Sequence, residues 1–547
     1  MKEIRIYKRL KGILLIMLLC IGFRTLPAQT NQPDSLAGHK IILDNQHKII
    51  PRTMPVSKAY DEFLHLRWNF IKNQVPMSPG PPPRSEYPQY YFYCAFKPHD
   101  GILEPDTWMN DVAEKIPNWF ESARLYYAYT GDSSVMHIVK GMVDYDLDHG
   151  MSPPDHAWPG FPFTTTNAGD TIFRGFTSSG RLALYEIQVD HAGEMGLTYL
   201  RMYQYYGEKK YLDAAIRVAD VLADHAKTGT SEQSVWPYRI ITETGEVTAP
   251  YGANWTGCYT LLDELIKMQT GNVDRYKKAC EYARKFLLDF PMKTGYWTDG
   301  HTDTGFKSNT YKSNMSASNM TLFLFDFPRF DPDWKQDIPA LIKWTEDNFV
   351  YRCWDDEPAT MYGANIVGEQ DSFLVKMDYQ TARYAAECAR WYAISGNKSY
   401  REKAYRALNW VTYCNDENGM AIESPVSKGI LSWWSDCYGE GPRMFYQAFA
   451  GIPEWAPAGE DHILYSTSVL KDVSYGKSRI SYTATGSGGM DFLRISFKPS
   501  AILLDGKKLS DSGEDRSGYT LRSLGGGDFA IKINRQDNGI VVISARE

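Results

Sequence analysis

Residues 195–225 read MGLTYLRMYQYYGEKKYLDAAIRVADVLADH: a helix ending in tyrosines, a glycine turn, and a second helix opening on a Tyr-x-x-Ala pattern. Apolar side chains recur three and four positions apart on both sides of the turn, which is helical periodicity. The same design returns at 119–147 (WFESARLYYAYTGDSSVMHIVKGMVDYDL), 258–290 (CYTLLDELIKMQTGNVDRYKKACEYARKFLLDF) and 382–413 (ARYAAECARWYAISGNKSYREKAYRALNWVTY). A helical hairpin cannot bury both of its apolar faces alone, so repeated hairpins must pack on one another.

Counting helices of the first type gives six, at about 112–130, 191–206, 255–270, 314–327, 377–395 and 436–450. The second type also gives six, at about 57–74, 133–148, 208–227, 273–290, 333–349 and 397–414. Six plus six hairpin-connected helices can close a ring with the more apolar first set inside, so the expected fold is mainly α, an (α/α)6 toroid. A superhelical array is the rival. Repeat lengths that vary between about 45 and 75 residues, with long Pro-, Trp- and Gly-rich loops, favour the ring.

After GIPEWAP (451–457) the pattern changes to short, β-branched, alternating runs such as RISYTATG, DFLRISF and GIVVISA, separated by Gly, Asp and Asn turns. The expected division is a signal segment at 1–28, a leader at 29–55, the ring at 56–458 and a small all-β sandwich at 459–547. Residues 1–28 combine a basic start, an apolar core from Gly12 to Phe23 and Ala28 at a cleavage point, the form of a secretory signal peptide. Export across the inner membrane to the periplasm or cell surface is expected. Leu19 is bulky where lipobox processing wants a small residue, which argues against a lipid anchor on Cys20. No later apolar run is long enough to span a bilayer.

Residues 1–28 hold six of the 59 basic and one of the 66 acidic side chains, leaving 53 against 65 and a net charge near −12. That balance excludes nucleic acid as the expected partner. The seven remaining cysteines are widely spaced with no C-x-x-C pair, and read as buried thiols with one disulfide allowed, not as a zinc site. The spacing of His149, Asp155 and His156 in DHGMSPPDH matches no ligand motif, and no P-loop is present, so neither metal nor cofactor is expected.

If the inner helices run parallel, their N-terminal ends converge on one face. Polar residues open each: Asn110 and Asp111, Asp190, His191 and Glu194, Asn254 and Thr256, Asn314 and Asn319, Asp378 and Gln380, Asp436 and Glu440. Helix capping explains any one of them. It does not explain Glu194, one turn inside its helix beneath Asp190. Asp190 with Glu194, or with Asp378 or Asp111 from a facing helix, supplies the paired carboxylates that glycoside hydrolysis needs. His191 and the aromatic helix behind it could tune the proton affinity of Asp190. Glu440, with Glu369, Asp371 and Asp436 in the Gly-bracketed loops GEQDSF and SDCYGEGP, are further candidates.

Aromatic content is 14%, and Trp158, Trp255, Trp433 and Trp434 lie in loops where flat rings suit the apolar faces of sugars. Asn254 adds a polar contact, and Arg383 and Arg443 could hold a substrate carboxylate bidentately.

The stretch VDHAGEMGLTYLRMYQYYGEKKYLDAA (189–215) resembles the unsaturated uronyl hydrolases, and the ring pattern over ~110–450 resembles the six-hairpin glycosidase group. In that family an inner-helix Asp in a similar V-D-x-x-x-x-x-x-L context protonates the enol ether of the substrate, and Asp190 is the matching position. The R-G-N-G-W signature of one branch is absent, and the β-region is extra. The resulting expectation is a secreted glycoside hydrolase acting on an oligosaccharide or polysaccharide that contains uronate or branches. A lyase using His191, Asn254 and Tyr251 for β-elimination, and a non-catalytic glycan-binding protein, are the alternatives.

Overall fold

The computed structural model describes residues 35–36, 38–99, 102–298, 312–350, 360–370, 375–424, 433–510 and 517–545. The expected signal segment with Cys20, the loop carboxylate Asp371 and Cys353 lie outside the described residues.

Twelve long helices carry the first four-fifths of the chain. Six form an inner wall: α2 (Val112–Thr130), α4 (Val189–Tyr206), α6 (Thr256–Lys267), α8 (Asn314–Asp326), α10 (Asp378–Ser395) and α12 (Ser435–Gly451). The other six lie outside: α1 (Val56–Asn73), α3 (Ser134–His149), α5 (Lys209–His225), α7 (Val273–Asp289), α9 (Trp334–Phe349) and α11 (Lys398–Val411). Burial separates the two sets. Every residue of α10 from Asp378 to Trp391 is buried, as befits a helix packed all round. On α7 only Tyr276, Ala279, Cys280, Ala283, Phe286 and Leu287 are buried, a single stripe at helical spacing.

Each inner helix packs on the next, and α12 packs on α2, so the inner wall closes and the superhelical alternative is excluded. The repeated turn glycines explain the hairpins. Gly131, Gly207 and Gly396 end α2, α4 and α10 in the left-handed region, at φ of 79°, 72° and 67°, and each N–H donates to the carbonyl four residues back. The chain then turns straight into the outer partner.

The last hairpin is completed by the first helix, since α1 packs behind α12. Phe63 stacks on Phe445 at 4.5 Å between ring centroids, and Arg67 reaches inward to donate to the carbonyls of Cys437 (2.9 Å) and Cys414 (2.8 Å). Trp68, Trp119, Trp158, Trp236, Trp255 and Trp410 are among the fully buried side chains between the layers. Truncating one such ring in a close-packed interior costs about 3–5 kcal/mol. Cys94, Cys258, Cys280, Cys388, Cys414 and Cys437 are free and buried.

The C-terminal strands form two antiparallel sheets. One orders β1 (His462–Ser466), β4 (Gly489–Ile495), β8 (Asp528–Arg535) and β7 (Gly518–Gly525); the other orders β2 (Leu470–Gly476), β3 (Arg479–Ala484), β9 (Gly539–Ser544), β5 (Ala501–Leu504) and β6 (Lys507–Lys508). Alternate residues such as Ile480, Tyr482, Leu493, Ile531, Ile533 and Val541 point into a shared core. Strand β1 lies against α2 and α12 at the C-terminal end of the ring. Arg124 donates to the Ser466 carbonyl at 2.9 Å, Tyr465 donates to Asp326 at 2.5 Å, and His462 stacks on Tyr129 at 4.0 Å. The sandwich therefore covers the end of the ring opposite the helix N-termini.

Glu387 of α10 is buried beside Ser318 and one turn from Arg383, and burial pushes its carboxyl up to about 7. A carboxyl raised in the folded state favours folding below its unfolded pKa and disfavours it as pH rises through the folded value. Glu387→Gln should therefore match wild type near pH 4 and exceed it at pH 8, by on the order of 2–3 kcal/mol in chemical denaturation.

Candidate functional site

The sequence places α4 so that its first turn opens the ring. Strand Glu186–Gln188 pairs with Arg239–Ile241 and leads directly into the helix, which begins at Val189. The helix starts about two residues earlier than its periodicity indicated, so Asp190 sits inside the first turn, where a carboxylate meets the positive end of the helix dipole. It is 1% exposed. His191 is also buried, with Nε2 at 3.9 Å from Asp190 Oδ2, close enough to act electrostatically but beyond hydrogen-bond reach. Glu194 follows one turn later. Burial, and then the charge of Asp190, raise its carboxyl above the ordinary range.

Asp111 caps the neighbouring α2, and Thr165 ties the two helix starts together: its hydroxyl lies 2.8 Å from Asp111 Oδ1 and 3.3 Å from Oε1 of Gln188. Across the mouth, Asp436 in the first turn of α12 is pushed up to about 7, mainly by burial and then by Asp111 and Glu369, with Lys115 opposing. Glu369 accepts from Tyr379 at 2.7 Å and from Gln370 at 3.2 Å. Lys115 is buried, donates to Asn110 (2.5 Å) and Tyr93 O (3.2 Å), and is lowered by that burial. Asp111 and Asp436 thus lie beside one buried lysine, with Glu369 close enough to Asp436 to act on it.

Two further sequence candidates are held in buried ion pairs. Asp378 is fully buried and paired with Arg67 of the outer layer at 3.1 Å, and it lies near enough to Asp436 for its charge to raise that carboxyl. The pair ties α1 to the ring. Glu440 is also fully buried and is held by the guanidiniums of Arg383 and Arg443, the latter at 3.0 Å.

Glu440 belongs instead to a polar belt. Glu194, Asn319, Arg383 and Glu440 each lie five residues after the first residue of their helix, which puts them at one height in the ring. Asn254 donates to Glu194 (3.3 Å), Asn319 to Asn254 (2.9 Å), and Arg383 to Asn319 (2.6 Å) and to Glu440. This run of hydrogen bonds joins four inner helices through Asn254, which lies just before the start of α6. Burial, and then Arg443, lower Arg383 to about 9, still a cation at neutral pH. Arg383 is therefore committed within the protein, whereas Arg443 is partly exposed. Gly257 makes room for the belt, because a Cβ there would stand 2.4 Å from Cγ of Glu194. Below the belt a cavity of about 170 Å³ reaches Glu121, Arg124 and Arg201 and ends on Tyr465 and Thr467 of the sandwich. Those three charged residues were not singled out in the sequence, although the i, i+3 spacing of Glu121 and Arg124 marks an ion pair.

The aromatic expectations need correction. Trp255 is fully buried, tilted against Trp236 at 5.5 Å and donating to Gly252 O at 2.8 Å. Trp158 is stacked on His225 at 4.1 Å and is 2% exposed. Rings enclosed on both faces cannot receive a sugar, so both belong to the core. Trp434 does reach the rim: it meets Trp108 edge-on at 5.2 Å, and the guanidinium of Arg181 lies 4.5 Å over Trp108. The side chain of Trp433 lies outside the described residues.

Removing one member of a buried charge pair strands the other. Arg383→Met should lower stability by about 3 kcal/mol in urea unfolding, and the double change Arg383→Met with Glu440→Gln should cost less than the sum of the two single changes.

No protein-family model and no curated protein sequence matches the chain. Solved structures do. The cellobiose 2-epimerase of Spirochaeta thermophila DSM 6192 is 11% identical with a TM-score of 0.51, over 73% of this chain and 98% of that one. A D-mannose isomerase is 10% identical with a TM-score of 0.50, over 72% and 97%. An unsaturated glucuronyl hydrolase specific for heparin is 10% identical with a TM-score of 0.44, over 72% and 96%. At such identities the likeness is one of architecture, and the fold of this chain is that of the six-hairpin (α/α)6 glycosidase group.

Proposed function

We propose that the chain is a carbohydrate-active enzyme, a glycoside hydrolase working on uronate-containing glycan fragments at the N-terminal mouth of the ring. The observation that supports this reading is the gathering of carboxylates there: buried Asp190 in the first turn of α4, and beside it buried Glu369 with the part-buried Asp111 and Asp436. Acid–base hydrolysis needs one carboxyl that is protonated at working pH and one that is ionised. Asp436, at about 7, fits the proton donor to a leaving oxygen. Asp190 fits the second carboxyl, which activates water or stabilises the charge that develops on the sugar ring; the resemblance of its segment to the uronyl hydrolases implies proton transfer at the same position.

Arg181 over Trp108 and the partly exposed Arg443 offer cations to a uronate carboxylate. Sugar epimerisation, the activity named for one neighbouring fold, asks for a base matched to abstraction of a carbon-bound proton. His191 is the one histidine on the inner helices, against many carboxylates, which favours hydrolysis. The signal-like segment at 1–28 fits export to the periplasm or cell surface, and among the described residues no helix is long and apolar enough to cross a membrane.

Two measurements test this. Incubated with a panel of uronate-containing oligosaccharides, the protein should yield products whose summed mass exceeds the substrate by one water, and Asp190→Asn should lose at least ~10²-fold in rate. New ultraviolet absorbance without uptake of water would mean elimination and sink the hydrolase reading. In the pH–rate profile, activity should fall as pH rises through about 7, and Asp436→Asn should abolish that limb; a limb unchanged in the variant removes Asp436 from the proton-donor role.

A further inference from the structure

A second concave surface lies at the opposite end of the ring. A groove of about 1010 Å³ runs between the C-terminal ends of α4, α6, α8 and α10 and the turn at Thr485–Met490 with strands β4 and β8 of the sandwich. Eight of its lining residues are cationic and three anionic, in a chain whose net charge is −7. Half of these cations are neutralised locally: Arg390 pairs with Asp326 at 2.9 Å, Lys267 with Asp263 at 2.6 Å, Arg535 with Asp491 at 2.7 Å, and Arg201 with Glu121 and Glu264. Among the described residues Arg284 and Lys335 have no carboxylate partner, so a positive surplus faces the groove.

The cations are interleaved with rings. Lys335 lies 5.4 Å over Trp334, Lys267 5.4 Å over Phe327, Arg284 5.8 Å over Phe330, and Lys532 5.8 Å over Phe492. Phe330 is buried and Phe327 stacks on Phe323 at 4.7 Å, so these two rings shape the wall, whereas Trp334 is only partly buried at the groove. A flat ring beside a cation that offers charge to a sugar's substituent is the chemistry that recognises an acidic sugar. The volume suits several such sugars rather than a single small anion.

We propose that this groove is a second, non-catalytic binding site for an anionic oligosaccharide bearing carboxylates or sulfate esters. It rests on its own charge and ring pattern, and it stands whether or not the mouth proves to be hydrolytic. A polymer held there would stay attached to the protein while another segment or strand is presented to the mouth.

The test is isothermal titration of the full-length protein carrying Asp190→Asn, so that no turnover intervenes, with a short oligogalacturonate, neutral maltohexaose and a single-stranded oligonucleotide of similar charge. Two classes of oligogalacturonate site are expected, with no groove binding of maltohexaose. Adding Lys335→Glu with Lys532→Glu should weaken one class about tenfold or more and leave the other unchanged, and Trp334→Ala should weaken the same class. Lys335 is exposed and Lys532 part-exposed, so the charge reversals should leave the fold intact, checked by an unchanged melting temperature. A single class of site unaffected by these changes would overturn the proposal. Equal groove binding of the oligonucleotide would make the surface a general polyanion site and overturn the glycan assignment.

Discussion

A carboxylate held between two guanidiniums fixes the middle of this ring. Glu440 joins Arg383 and Arg443, Arg383 joins Asn319, and the bonds continue through Asn254 to Glu194, so four inner-helix positions are set at one height by polar contacts as well as by apolar packing. Burying such charges is favourable only when each finds its partner. The belt therefore constrains helix register far more sharply than interchangeable apolar side chains would. It also positions Glu194 beneath Asp190, which links the scaffold to the carboxylates of the mouth.

The two ends of the ring are consequently different. At the N-terminal end the helix starts present Asp111, Asp190 and Asp436, each favoured by its helix dipole, while burial and the charges of Asp111 and Glu369 oppose ionisation of Asp436. That opposition holds Asp436 near neutrality and places a proton reservoir at the mouth. At the other end Tyr465 and its strand close the lumen, and the groove alongside is cationic and aromatic. Acidic groups and cationic, aromatic groups are thereby kept at opposite ends.

The architecture was legible in the sequence because hairpin repetition, helical periodicity and turn glycines are local signals that survive without coordinates. Six helices of each type were countable, whereas the pairing of α1 with α12 shows in the packing. The height of the belt was not legible, since it depends on where each helix begins to within one residue. Nor were the partners of a polar side chain: Asp378 and Asp190 look alike in sequence, yet Asp378 is paired with Arg67 of the outer layer. Trp158 and Trp255 occupy loops rich in glycine and proline, a context that resembles a binding platform until packing shows both faces covered. Trp434 shows the converse, a loop ring that does reach the rim.

The most direct test of chemistry at the mouth is a crystal structure of the Asp190→Asn protein with a uronate-containing oligosaccharide. The expected result is a sugar ring against Trp108 and Trp434, with its glycosidic oxygen within hydrogen-bond reach of Asp436 and its reacting carbon next to residue 190. A sugar found solely in the groove beside the sandwich, with the mouth empty at saturating ligand, would contradict it.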